Sequence, residues 1–251
     1  MYKLENEITR RETKSVYKDE DSIIKLFIEN YSVANILNEA LNQARVFEGT
    51  DLNIPKLKEV TKIAGRWAIV QEYVEGESLD NLMNENPEKI DEYMDMFVNI
   101  HLEVLSKHVP MLNRIKEKYR RKLNDEESID SNTRFELLQR LEGMHTKGNL
   151  CHGDFNPSNI IIKKDGSHCI LDWAHATQGN GAADAALTYL LFKMDDRDDV
   201  AEKYINLFCE KSGVDRREIQ RWIPIVAATQ LKTNKNKQDI LRSWIDIADY
   251  E

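Results

Sequence analysis

No run of about 18 apolar residues occurs anywhere in the chain, which excludes a membrane-spanning helix. The first residues, Met-Tyr-Lys-Leu-Glu-Asn-Glu, hold no apolar signal core, so the expectation is a cytoplasmic protein that is not exported. Cysteine is scarce. Cys151, Cys169 and Cys209 are an odd count without metal-ligand spacing, which argues against a disulfide framework and for reduced thiols. With 10 glycines and 5 prolines in 251 residues there is no Pro/Gly linker, and neither repeats nor low-complexity tracts interrupt the chain. Excess positive charge is absent too: the net charge of −9 argues against a nucleic-acid partner. That charge is unevenly placed. Residues 1–71 hold 11 Lys+Arg and 11 Asp+Glu, so 72–251 carry all of it.

What the chain does have is concentrated between Asn149 and Ala174, N-L-C-H-G-D-F-N-P-S-N-I-I-I-K-K-D-G-S-H-C-I-L-D-W-A. Asp165-Gly166 is a strong hairpin signal, flanked by apolar residues 160–162 and 169–171. A two-residue type I′ turn there sets Lys164 opposite Ser167 and Asn159 opposite Asp172. Asp154 lies five residues upstream of Asn159. Two carboxylates and a carboxamide are hard oxygen ligands of the kind Mg²⁺ takes, and a carboxylate beside an Asn/Asp metal pair is a working arrangement for phosphoryl transfer.

His152-Gly153-Asp154, four residues, Asn159, and then Asp172 after the hairpin: this pattern resembles the aminoglycoside phosphotransferase family, small-molecule kinases of the protein-kinase fold. The resemblance covers residues 25–184. It implies an α+β, two-lobe fold: an N-terminal antiparallel sheet with one helix, then a mostly helical lobe containing the catalytic hairpin. We place the lobe boundary where the charge changes, giving an N-terminal lobe of 1–73 and a C-terminal catalytic and acceptor-binding lobe of 74–251. By the same resemblance Asp154 orients the attacking hydroxyl and accepts its proton, and Asn159 and Asp172 hold Mg²⁺ on the phosphates of ATP or GTP.

Short strands are expected around residues 7–10, 15–18 and 23–27, the last carrying Lys25 within Ile-Ile-Lys-Leu-Phe. Residues 33–47 read as a helix whose apolar face holds Val33, Ile36, Leu37, Ala40, Leu41, Ala44 and Phe47, ended by Gly49. The resemblance makes Lys25 the lysine that holds the nucleotide phosphates and Glu39 its helix partner. It departs from protein kinases at the phosphate loop, because no glycine precedes Gly49; Thr9-Arg10-Arg11-Glu12-Thr13-Lys14-Ser15 takes its place, with the hydroxyls of Thr13 and Ser15 as candidate phosphate contacts. Residues 66–70 form a buried strand running into Gln71-Glu72-Tyr73-Val74, which resembles the kinase hinge. Adenine would then meet the Glu72 carbonyl and the Val74 N–H and carbonyl.

Helices are expected over 90–109, 134–144 and 185–194, with a charged, solvated stretch over 116–131 and with Trp222 and Trp244 in the core. His101 matches a family histidine and reads as a satisfied core residue. Asp184 matches an aspartate that braces the catalytic loop, although a plain helix N-cap explains it too. Asn156 takes a position that the family gives to a basic or imidazole side chain. Three activities compete on these residues. The first is phosphorylation of a hydroxyl on a small molecule, with a neutral or amine-bearing acceptor such as an aminoglycoside or amino alcohol favoured by the acidic run 194–199 and by Asp246, Asp249 and Glu251; a sugar or amino acid is the alternative acceptor. The second is a nucleotide-binding module without turnover, favoured by the glycine-free loop and Asn156. The third is a metallohydrolase built on His152, Asp154, His168, Asp172 and His175.

Overall fold

Two successive hairpins start the sheet of the computed structural model, which describes residues 2–245. Strand β1 (Asn6–Arg10) pairs with β2 (Lys14–Asp19), and β2 turns through Glu20, at φ 50°, into β3 (Ser22–Phe27). Helix α1 (Val33–Gly49) follows, its first turn capped by the Ser32 side chain, which accepts from the Asn35 N–H. Strands β4 (Leu57–Ile63) and β5 (Arg66–Glu72) are joined by Ala64 and Gly65, both at positive φ, the signature of a type I′ turn. All neighbours are antiparallel, in the order β1-β2-β3-β5-β4. The sequence reading missed β4.

The two faces of this sheet have separate cores, as the alternation of a strand demands. Tyr17, Ile24, Leu26, Ala68 and Val70 pack on one face; Phe27 and Ile69 pack with Ile36 and Ala40 of α1 on the other. The buried side of α1 is not the expected apolar stripe. Ile36, Glu39, Ala40, Asn42, Gln43 and Val46 are buried, while Val33, Leu37, Leu41 and Phe47 are exposed. Polar residues sit on the inner face because each finds a partner there. The Gln43 Nε2 donates to the Pro55 carbonyl at 2.8 Å and the Asn42 Nδ2 to the Ala174 carbonyl at 3.1 Å.

After β6 (Glu77–Ser78) and helix α2 (Leu79–Glu85), chain contacts divide the molecule into two units. The first combines Met1–Glu85 with Pro157–His175; the second combines Asn86–Asn156 with Ala176–Glu251. The hairpin therefore groups with the N-terminal sheet, whereas the charge-based division at residue 73 leaves it with the helices. In the second unit lie α3 (Ile90–Ser106), α4 (Ile115–Asn124), α5 (Ser131–Gly143) and β7 (Asn149–Cys151). Strands β8 (Ile160–Ile162) and β9 (His168–Ile170) belong to the first unit and form a three-stranded sheet in the order β6-β8-β9. Strand β10 (Thr177–Gly179) returns to the second unit and pairs with β7, followed by α6 (Gly181–Met194), α7 (Asp198–Ser212), α8 (Arg216–Gln230) and α9 (Gln238–Ile245). Trp222 is fully buried on α8, and half-buried Trp244 meets the Tyr189 ring edge-on. No helix among the described residues is long and apolar enough to cross a membrane.

The hairpin is present, but its register is one residue away from the expected one. Ile160 faces Ile170, Ile161 faces Cys169 and Ile162 faces His168, and the Lys163 N–H donates to the Ser167 carbonyl at 2.8 Å. The loop is thus three residues, Lys164-Asp165-Gly166, with Gly166 at φ 82° as the left-handed residue of a bulged turn. Asn159 lies opposite Leu171, whose N–H donates to the Asn159 carbonyl at 2.8 Å; Asp172 is the next residue and not the direct partner.

Candidate active site

In the first unit three sequence-distant charges meet on one face of the sheet. Lys25 on β3 is buried, with its Nζ 2.7 Å from the Glu39 Oε1 and 3.0 Å from the Asp172 Oδ1. Sheet and helix packing bring Glu39, and the hairpin brings Asp172. Hydrogen bonds anchor the hairpin beside α1: the Ile170 N–H donates to the Asn53 carbonyl at 2.9 Å, and the Asn53 Nδ2 donates to the His168 carbonyl at 2.7 Å. Immediately beyond Asp172, the turn Trp173–His175 packs on α1 through the Asn42–Ala174 bond and seats the buried Trp173 indole, which donates to the Ile170 carbonyl at 3.0 Å. Asp172 itself has φ 58°, a left-handed backbone that a non-glycine residue holds only where its surroundings fix it.

Burial alone would discharge both partners, yet the pairing outweighs it. For Lys25, burial pushes the ammonium down, but the Asp172 and Glu39 carboxylates hold it above the usual lysine range. For Asp172, burial pushes the carboxyl up, and Lys25 with Lys14 pulls it far below the usual range. Lys25 and Asp172 therefore both stay charged at neutral pH. Lys14 is the member that the sequence reading missed. Its Nζ is 3.4 Å from the Glu39 Oε1 and 3.8 Å from the Asp172 Oδ2. Strand parity could have found it, since Lys14 and Val16 share a face and Val16 is the cross-strand neighbour of Lys25.

The remaining nucleotide-site candidates are placed as follows. Ser15, expected as a phosphate contact, is buried beside Leu26 on the opposite face from Lys25. Thr13 is half-buried in the β1–β2 loop, its carbonyl accepting the Ile28 N–H at 3.1 Å. Glu72 ends β5, with its N–H on the Lys56 carbonyl at 2.9 Å. Val74 lies just beyond the strand, where the Tyr73 N–H donates to the Asp21 carbonyl at 2.9 Å. Among the described residues no group of three or more His, Cys, Asp or Glu side chains could hold a metal ion.

In the second unit, β7 delivers His152-Gly153-Asp154 onto a buried carboxylate. Asp184 accepts the His152 N–H at 2.7 Å and the Gly153 N–H at 2.8 Å, and the His101 Nε2 lies 3.3 Å from it. The other imidazole nitrogen of His101 meets the Tyr204 hydroxyl at 2.9 Å, and the ring stacks on Phe155 with centroids 4.1 Å apart. Burial pushes the Asp184 carboxyl up, but His101, His152 and the Gly153 N–H outweigh it and hold the group below the usual range. Asp184 is not the N-cap of α6. Asn180 is, accepting from the Ala182 N–H, and the Asp184 side chain serves the loop. The Asn156 Nδ2 donates to the Asp154 carboxylate at 3.2 Å and to the Asp154 carbonyl at 3.1 Å.

The acidic run on which the acceptor reading leaned is partly neutralised within the fold. Asp198 pairs with Lys193 at 2.7 Å and Asp196 with Lys237 at 3.1 Å. Asp246, Asp249 and Glu251 lie outside the described residues.

No curated protein matches the sequence. Among solved structures, a thermostable mutant of aminoglycoside phosphotransferase APH(4)-Ia in ternary complex with ADP and hygromycin B is similar with a TM-score of 0.72 at 10% identity, over 96% of this chain and 91% of that one. An aminoglycoside-3'-phosphotransferase of type VIII gives 0.63 at 13% identity, over 91% and 93%. The GDP complex of wild-type aminoglycoside 2'-phosphotransferase-IIIa gives 0.60 at 14%, over 96% and 89%. These likenesses establish the protein-kinase-like fold. The model of the phosphotransferase enzyme family matches residues 34–222, three quarters of the sequence, and on that ground the chain belongs to that family.

Proposed function

We propose that this chain is an ATP- or GTP-dependent kinase that transfers the terminal phosphoryl group to a hydroxyl of a small molecule in the cytoplasm. The observation that carries the reading is the cluster of Lys25, Glu39 and Asp172, three residues scattered along the sequence and ion-paired in one place. Lys25, fixed by Glu39, binds nucleotide phosphate; the backbones of Glu72 and Val74 receive the base, and Thr13 lies in the phosphate loop. Asp154 accepts the hydroxyl proton, with its carboxylate held by the Asn156 amide. Asn159 and Asp172 fit Mg²⁺: one carboxamide and one carboxylate are hard oxygen donors, and Mg²⁺ in nucleotide sites takes few protein ligands because phosphates and water complete its shell. When bound, that ion neutralises charge developing on the transferred phosphate.

The test is a thermal-shift series with Mg-nucleotides, followed by candidate hydroxyl acceptors read out as ADP release. Stabilisation by Mg-ATP together with acceptor-dependent ADP release is the expected result. The Asp172→Asn variant should lose affinity for Mg-ATP by about tenfold to a hundredfold, since it removes a charged metal ligand and leaves Lys25 with Glu39 alone. Unchanged Mg-ATP affinity in a calorimetric titration would take Asp172 out of the site.

One observation favours a second reading, a binding module without turnover: the phosphate loop has no glycine and, among its residues, no positive φ. Mg-ATP binding with no ADP release for any acceptor would put that reading first. For the acceptor, the concentration of the net charge of −9 in residues 72–251 favours a cationic or neutral molecule over an anionic one. An amine-bearing acceptor should show a KM that rises with ionic strength, as the Debye length falls from ~30 Å at 0.01 M to ~8 Å at 0.15 M. A salt-insensitive KM, or preference for a carboxylate-bearing acceptor, points instead to a sugar or amino acid.

A further inference from the structure

Lys14 stands where β2 leaves the β1–β2 loop, and its side chain points inward, with only 14% of it exposed. The ammonium lies 5.9 Å from the centroid of the Phe27 ring, its cross-strand neighbour, and shares both carboxylates of the cluster with Lys25. The sharing is unequal. Lys25 holds Glu39 and Asp172 at 2.7 and 3.0 Å, Lys14 at 3.4 and 3.8 Å, so Lys14 is the more loosely held cation.

The loop above it is poorly suited to hold phosphate by backbone alone. Nests of N–H groups that bind phosphate need residues alternating into the left-handed region, and glycine supplies that conformation. Arg11, Glu12 and Thr13 contain no glycine and none of them has positive φ. The Arg11 N–H is already spent on the Lys14 carbonyl at 2.9 Å. A phosphate at this site needs donors from elsewhere, and a lysine ammonium is a compact source of three.

Resting on the kinase reading above, we infer that Lys14 is a second phosphate-binding lysine of the nucleotide site, taking the role that a glycine-rich loop performs with backbone N–H groups. Two lysines and two carboxylates sum to zero charge, so the cluster is balanced before nucleotide arrives. A triphosphate with one divalent ion still brings net negative charge. With Asp172 committed to that ion, Lys14 loses one carboxylate partner and the phosphate oxygens replace it. Lys25 keeps Glu39.

The experiment is calorimetric titration of wild type, Lys14→Met, Lys14→Gln and Lys14→Arg with ATP, ADP, AMP and adenosine, each with Mg²⁺. The neutral variants should bind ATP and ADP about tenfold to a hundredfold more weakly, as expected for losing a charge-assisted hydrogen bond, while AMP and adenosine affinities stay at the wild-type level. The Lys14→Arg variant should recover most of the loss. The two neutral variants differ in shape and polarity, so a folding defect in one leaves the other to report. Equal loss for ATP and adenosine, or no loss, overturns the inference and leaves Lys14 as a neutraliser of Glu39 and Asp172. A wild type that binds no nucleotide removes the kinase reading and this inference together; a wild type that binds ATP beside neutral variants with an unchanged ATP-to-AMP ratio removes this inference alone.

Discussion

The Asp154→Asn variant is expected to lose about 10²–10⁴-fold in kcat, the usual contribution of a positioned general base, while Mg-ATP affinity stays at the wild-type level. Asp154 is half-buried on the loop after β7, and one of its carboxylate oxygens is already fixed by the Asn156 amide. That contact helps to orient the carboxylate. A carboxamide of the same size keeps the volume but cannot take a proton. Single-turnover measurements with saturating nucleotide isolate the chemical step, and calorimetry reports binding separately. A variant with wild-type turnover would remove Asp154 from the chemistry, whatever the fold.

The second large effect concerns stability. In Asp184→Ala, the N–H groups of His152 and Gly153 and the His101 ring lose a shared acceptor at a site 1% exposed. Breaking a buried, charged network of this kind costs about 3–5 kcal/mol, enough to lower Tm by on the order of 10 °C. Thermal melts of the variant would show it, and an unchanged Tm would mean that the network adds nothing. The same network gives a pH signature. Burial is the main influence on His101 and lowers its pKa, with Asp184 opposing, so the folded ring remains neutral below the pH at which the unfolded ring, near ~6.5, takes up a proton. The unfolded state then binds more protons, and stability falls as pH drops from ~6.5 toward the lowered folded value, by at most ~1.4 kcal/mol per pH unit. His101→Gln should flatten that limb of a stability–pH curve.

The sequence made the chemistry legible where spacing is rigid and illegible where partners decide. Asp-Gly between apolar runs located the hairpin correctly, but a two-residue turn and a three-residue bulged turn both want glycine at positive φ. Nothing local chose between them, and the register slipped by one. The apolar stripe of α1 misled for a different reason. Asn42 and Gln43 carry no hydrophobic signal, yet backbone carbonyls at Ala174 and Pro55 make the inner face hospitable to them. Those carbonyls belong to distant segments and leave no trace in a helical window. Lys25 and Glu39 were readable because a lysine inside an apolar strand and a glutamate beside an apolar helix stripe each break a pattern. Lys14 breaks none, since it sits in a run of charged loop residues, and its role emerged with the pairing of β2 and β3.

The division of the chain bears on how the protein is made. The first unit closes with a segment that leaves the ribosome long after the sheet does: Lys25 and Asp172 are 147 residues apart, and β6 must wait for β8. At about 5–20 residues per second, the 147 residues between Lys25 and Asp172 take roughly 7–30 s to make. During that interval β6 is an unpaired edge, and the buried Lys25 ammonium lacks one of its two close carboxylates. The stretch that waits, residues 1–71, is also the part with no net charge, so it has little self-repulsion to keep neighbouring nascent chains apart. Synthesis of the acidic remainder supplies both the missing strands and the repulsion.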